Sequence, residues 1–154
     1  MELRVLGAHN AESKTTRLES HLIDKVLVLD AGGLTRSLTF EEQAGIRAVI
    51  LSHRHFDHVR DLLPLGVGLL TAGKTIDVYA IEDTVKFVSE KLLDGSLYPD
   101  FRIFPSPEAP VFRFHTIEFY REFQVLGYNV MAVPVYHAVP AAGFQITSGS
   151  TTLF

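Results

Sequence analysis

The chain has no cysteine among its 154 residues. That excludes disulfides, thiolate metal sites and cysteine nucleophiles together. Any metal must be held by His, Asp or Glu. Basic charge is scarce and scattered. Lys plus Arg number 14 against 18 Asp plus Glu, a net charge of -4, and no basic block stands out. An extended nucleic-acid groove shows itself by clustered positive charge, so nucleic acid is not an expected partner. A small anionic substrate remains compatible, because a bound metal supplies local positive charge. No apolar run approaches the length of a membrane span. The apolar part of Met1-Glu2-Leu3-Arg4-Val5-Leu6-Gly7 is too short for a signal peptide. The expected location is therefore the cytoplasm, with no membrane partner. One local absence is also informative. From Ala138 to Phe154 there is no Asp, Glu, His, Lys or Arg, so that stretch can supply no side-chain metal ligand.

What is present is enough for one domain with a sizeable core. Hydrophobic residues make up 47% and charged residues 21%, a globular balance. The most concentrated chemistry lies in Ser52-His53-Arg54-His55-Phe56-Asp57-His58, of the form His-x-His-x-Asp-His. It follows the apolar run Ala48-Val49-Ile50-Leu51, which reads as a buried strand ending in a ligand-rich loop. Clustered ring nitrogens satisfy one another poorly when buried. A divalent cation resolves this, since neutral imidazole and carboxylate bind zinc, manganese or iron. The plain alternative is a polar surface loop. His137 follows the strand Val130–Val135 through Tyr136. It would supply a third ligand from a distant strand, which the first motif needs to surround an ion; otherwise it is a loop histidine.

Taken in order, Leu3–Leu6 reads as a strand and residues 7–17 as a long polar loop in which His9 and Asn10 could border a site. Ser20–Asp24 and Val26–Asp30 read as paired strands turning at Asp24-Lys25. Asp30 ends the second, before Ala31-Gly32-Gly33. Two glycines there allow a tight turn and close approach of other chain. Asp30 either accepts a hydrogen bond from a ligand histidine or caps the turn. Thr39 and Glu42 fit a capping box for a helix ending near Gly45. A second helix starts at Asp61, with Leu62, Leu65 and Leu69 on one face and a stop at Gly73. Ile76–Ala80 is a strand, and Asp83 caps a third helix that Gly95 ends. Tyr98–Pro110 carries four prolines and reads as a loop. Strands follow at Val111–Phe114, Ile117–Tyr120, Phe123–Leu126, Val130–Val135, Gly143–Thr147 and Thr151–Phe154. His115 reads as a solvent-facing strand or turn histidine.

The order of strand, Asp30-Ala31-Gly32-Gly33, strand, His53-x-His55-x-Asp57-His58, helix and His137 resembles the metallo-β-lactamase superfamily. The opening loop with Arg17 and Ser20, the Asp30 turn, and Val133-Pro134-Val135-Tyr136-His137-Ala138-Val139-Pro140-Ala141 look most like its cyclic-nucleotide phosphodiesterase and tRNA 3′-processing branch. The resemblance implies an α/β fold, a four-layer αββα sandwich, here truncated in its second half. It implies a first metal on His53, His55 and His137. Asp57 and His58 would contribute to a second, with Asp57 catalytic as the group orienting the attacking water. The expected cofactor is zinc, one or two ions, with manganese or iron as alternatives. The family's later bridging aspartate and last histidine have no counterpart in these residues, so weak second-metal occupancy and low activity are expected of this chain. Ser150-Thr151-Thr152-Leu153-Phe154 reads like a strand cut in mid-run, as in a fragment or one part of an assembly. An unpaired edge would favour self-association. The expected activity is hydrolysis of a phosphodiester such as a cyclic nucleotide. Alternatives are a thioester or other ester hydrolase, or a non-catalytic metal-binding unit.

Overall fold

A computed structural model describes residues 1–154. Two sheets face each other. The first has six strands in the order β1 (Leu3–Gly7), β2 (Ser20–Ile23), β3 (Leu27–Leu29), β4 (Ala48–Ile50), β5 (Ile76–Ile81) and β6 (Phe112–Ile117). β1, β2 and β3 are antiparallel, whereas β3, β4, β5 and β6 run parallel. The β2–β3 turn falls at Asp24 and Lys25, both with positive φ (46° and 63°). That conformation matches the twist of a tight hairpin. Parallel neighbours need crossovers. Those between β3, β4 and β5 carry α1 (Leu34–Ser37), α2 (Phe40–Gly45), α3 (Phe56–Val59) and α4 (Leu62–Thr71), and α5 (Glu82–Phe87) follows β5. The second sheet is antiparallel, in the order β10 (Thr151–Leu153), β9 (Ala141–Ser148), β8 (Tyr128–Val135), β7 (Glu122–Val125).

The side chains of β4 explain the layering. Val49 joins a 21-residue cluster with the helices, while Ala48 and Ile50 join a 13-residue cluster between the sheets. Alternate residues of a strand face opposite ways, so a central strand must be apolar throughout. Three layers result: helices, six-stranded sheet, four-stranded sheet. No helix among these residues covers the outer face of the second sheet, where the fourth layer of the expected sandwich would lie.

Local signals are realised where they are chemical. The Glu42 amide donates to Thr39 Oγ1 and the Thr39 amide to Glu42 Oε2, closing the capping box. Leu62, Leu65 and Leu69 are all buried, and Gly73 takes φ 63° after α4. Three expectations need correction. α1 and α3 were not foreseen, because four residues are too few to show a helical period. Val111–Phe114 and Ile117–Tyr120 are not two strands: Phe112–Ile117 pairs continuously with β5, and Phe119 makes only an isolated bridge to Ala132. Asp83 is not the cap of α5, which starts from Ile81; β5 runs straight into the helix, leaving Asp83 in the first turn to pair with Arg54 at 3.4 Å. The helix α4 does begin directly after Asp61, with Pro64 in its first turn. The buried Asp61 carboxylate accepts from the amide and hydroxyl of Thr35 and from Arg60 Nε, tying α1 to α4.

The proline-rich stretch is loop, as read, yet it is anchored. Phe101 is fully buried, edge-on to Phe112, and fills the space that the missing side chain of Gly66 leaves. Removing a buried phenyl ring costs the transfer energy plus the cavity. Phe101→Ala should lower stability by about 3–5 kcal/mol in urea unfolding. A loss below about 1 kcal/mol would show that the loop is not held by this ring.

Candidate metal centre

The site is built where strand ends from both sheets meet. β3 ends and Asp30 takes φ 58°, a left-handed conformation that Asp tolerates. Its amide donates to Ile50 O at 2.9 Å, and β4 then releases Ser52. The Asp30 carboxylate accepts from the Ser52 amide at 2.8 Å, from the Ser52 hydroxyl at 2.7 Å and from His58 Nδ1 at 2.8 Å. Asp57 and His58 lie on α3, and His55 stands just before it. A side chain at Gly32 would come within 1.6 Å of the Asp57 carbonyl oxygen, so only glycine lets the β3 turn pack against α3. From the second sheet, β8 releases His137, and the Ala142 amide of β9 donates to Ser52 O at 3.0 Å.

These bonds set the imidazoles. The Ser52 hydroxyl proton goes to Asp30, so Ser52 Oγ must accept from His53 Nδ1, 3.0 Å away. His53 then carries its proton on Nδ1 and presents an unprotonated Nε2. That atom lies 3.1 Å from His55 Nδ1, and His137 Nε2 lies 3.0 Å from the same nitrogen. The ligand atoms of His53, His55 and His137 all fall within 4.8 Å of one another. Three ring nitrogens facing each other at this range make a poor hydrogen-bond network and a good ligand set. The donor type and number suit a divalent ion with an open position, so the residues fit the expected metal.

Electrostatics agree. Burial, helped by the neighbouring His58 charge, pushes the His53 pKa down to about 4, so the ring is neutral near pH 7. At His58 burial also disfavours the charged form, but the Asp30 hydrogen bond and the Asp30, Asp57 and Glu19 charges outweigh it and raise the pKa. His58 Nε2 lies 3.4 Å from Asp57 Oδ2, so Asp57 and His58 form a pair beside the histidine triad. Glu19 adds a further carboxylate, 3.2 Å from His21, with its pKa raised by burial against the pull of His21.

The structure thus brings His53, His55 and His137 together, and sets Asp57, His58 and Asp30 beside them. His9 and Asn10 lie exposed on the loop after β1, and His9 bridges Leu18. His115 is a half-exposed strand residue paired with Asp77 at 2.7 Å. Ser52 and Glu19 were not singled out from the sequence. Ser52 carried one usable signal, its position between a strand end and a ligand-type histidine; Glu19 carried none.

Comparison with known proteins places this geometry. Residues 22–154 match the model of the beta-lactamase superfamily domain. The chain belongs to the beta-lactamase superfamily. Its fold is shared with the metallo-beta-lactamase fold protein YhfI from Bacillus subtilis, at TM-score 0.75 and 19% identity over 97% of this chain and 59% of that one. Unliganded yeast PDE1 gives TM-score 0.75 and 12% identity, over 94% of this chain and 60% of that one. The short form of human tRNase Z gives 0.70 and 17%, over 99% of this chain and 67% of that one. The chain spans about three fifths of the first two. No curated protein matches it by sequence. The metallo-β-lactamase fold is therefore that of this chain. No helix is long and apolar enough to cross a membrane.

Ser52→Ala should lower zinc affinity about 10–100-fold, because it frees the His53 ring from its bond to Ser52. Competition against a chelating dye checks this, and unchanged affinity would show that Ser52 does not set the His53 tautomer. Gly32→Ala should destabilise the chain by about 2 kcal/mol or more, since neither backbone can yield cheaply. A thermal melt matching the parent would contradict the close approach.

Proposed function

We propose that the chain is a metal-dependent hydrolase acting on a phosphodiester, such as a cyclic nucleotide. The observation that carries the reading is the convergence of three imidazole nitrogens from the ends of β4 and β8. Members of the superfamily are metal-dependent hydrolases of a fold that binds divalent metals, generally zinc. The name of human tRNase Z, among the similar structures, points to phosphodiester chemistry.

In this reading His53, His55 and His137 would hold the first ion. When bound, a divalent ion supplies Lewis acidity and ionises water at a pKa of about 7 in favourable sites. Ser52 keeps the His53 proton on Nδ1, so Nε2 needs no deprotonation before it ligates. Asp30 fixes the His58 ring through Nδ1 and leaves Nε2 facing Asp57. Asp57 would orient the attacking water and, with His58, would help to hold a second cation. The substrate is a small anion, and net charge of -4 makes its attraction a property of the site.

One observation favours a second reading, a non-catalytic metal-binding unit. The triad converges, whereas Asp57 and His58 stand as a pair without a third ligand in the group. Turnover of bis(p-nitrophenyl) phosphate with added zinc or manganese separates the two. His55→Ala should abolish turnover, by a factor of about 100 or more. Activity that survives this change would overturn the metal mechanism. Zinc retained without turnover would select the non-catalytic reading. Metal analysis should find one tightly held ion per chain, and two would contradict the incomplete second set.

A further inference from the structure

A cavity of about 470 Å³ opens beside the triad, and nothing in the ligand set accounts for it. Its wall includes His55, so it begins where the metal centre ends. The remaining lining combines two cations, Arg54 and Lys91, with Phe56, Phe87, Leu92 and Val59. This volume falls within the range of ordinary ligand sites. Three features suggest a wall shaped for a ligand.

First, Phe56 is 64% exposed although it stands inside the metal motif. A large ring left in water at a cavity wall adds little to folding and much to a ligand that covers it. Second, Arg54 lies between two of the triad histidines in sequence and is held in place. Its guanidinium sits 5.2 Å over the Phe87 ring and 3.4 Å from Asp83. Third, α5 does not end regularly. It widens into a π-helical turn over Val88–Leu92, and that turn carries Lys91 and Leu92 into the lining. Such turns are uncommon and occur frequently at functional sites.

Cations and an exposed aromatic ring on one wall have a specific complement: a flat, π-bearing ring linked to an anionic group. Base rings stack on aromatic side chains, and arginine or lysine pairs with phosphate. We propose that this cavity is the subsite for one nucleotide unit of the substrate, its base against Phe56 and its phosphate side toward Arg54 and Lys91. The inference rests on the phosphodiester reading and names the part of the substrate that this chain recognises. The chain has no basic stripe to follow a polymer, which favours a free nucleotide over the end of an RNA.

Isothermal titration of the zinc-loaded chain tests this without turnover. 5′-AMP and ribose 5-phosphate share the phosphate and differ in the base, so any attraction of the ion for phosphate is common to both. 5′-AMP should bind about tenfold more tightly. Phe56→Ala should remove that gap and leave ribose 5-phosphate unchanged, while Lys91→Ala should weaken both about threefold. Both side chains are exposed, and zinc affinity reports whether the metal loop survives each change. Equal binding of the two ligands would overturn the base subsite, and so would a gap that persists in Phe56→Ala. A trinucleotide binding tenfold more tightly than 5′-AMP would overturn the assignment to a free nucleotide. Loss of bis(p-nitrophenyl) phosphate turnover with 5′-AMP binding intact would reject the hydrolytic reading and leave the subsite standing.

Discussion

The arrangement of the candidate metal centre depends on one buried carboxylate. Asp30 accepts from the Ser52 amide, the Ser52 hydroxyl and His58 Nδ1, and its own amide donates to Ile50. Those bonds join the ends of β3 and β4 to α3. A carboxylate this buried is tolerated only when its oxygens are well partnered. Here the partners are also the parts of the site that must be oriented. The same contacts that satisfy Asp30 fix the His53 proton through Ser52 and turn His58 toward Asp57. Positioning and solvation of the charge are one interaction.

The two sheets supply what a single loop could not. His53 and His55 follow β4 in the first sheet, and His137 follows β8 in the second. The inter-sheet cluster, with Ile50 from one side and Val130 and Phe144 from the other, fixes the distance between those strand ends. Packing of that kind is rigid at the scale of a methyl group. The histidine triad therefore inherits its precision from apolar contacts within the sandwich. Gly32 does the same for Asp57 and His58, by letting the β3 turn touch α3.

Much of this was legible in the residues, for local reasons. Thr39 and Glu42 satisfy each other across one turn, so the capping box can be read without the rest of the chain. Asp24 and Lys25 separate two apolar runs of strand type, and the leucines of α4 repeat at helical spacing. What was not legible depends on neighbours distant in sequence. Asp61 reads only as a helix start until Thr35 is brought beside it. Phe101 looks like a loop residue until Gly66 leaves room for its ring. The single strand β6 could not be told from two short ones, because only its pairing with β5 makes it continuous.

The sequence by itself determined the family-defining chemistry. Without cysteine, and with three histidines and an aspartate within six positions, it placed nitrogen and oxygen groups of metal-ligand type at the end of a strand. It also specified His137 as a further histidine at a strand end. Tertiary structure decided which of these groups face one another. It brought three ring nitrogens to a common centre, left Asp57 and His58 as a pair, and made Ser52 and Asp30 the groups that set the proton positions. It also placed Arg54, Phe56 and Lys91 around one cavity. The reason is physical. Ligand type is a property of a residue, whereas convergence is a property of the packed sheets that hold it.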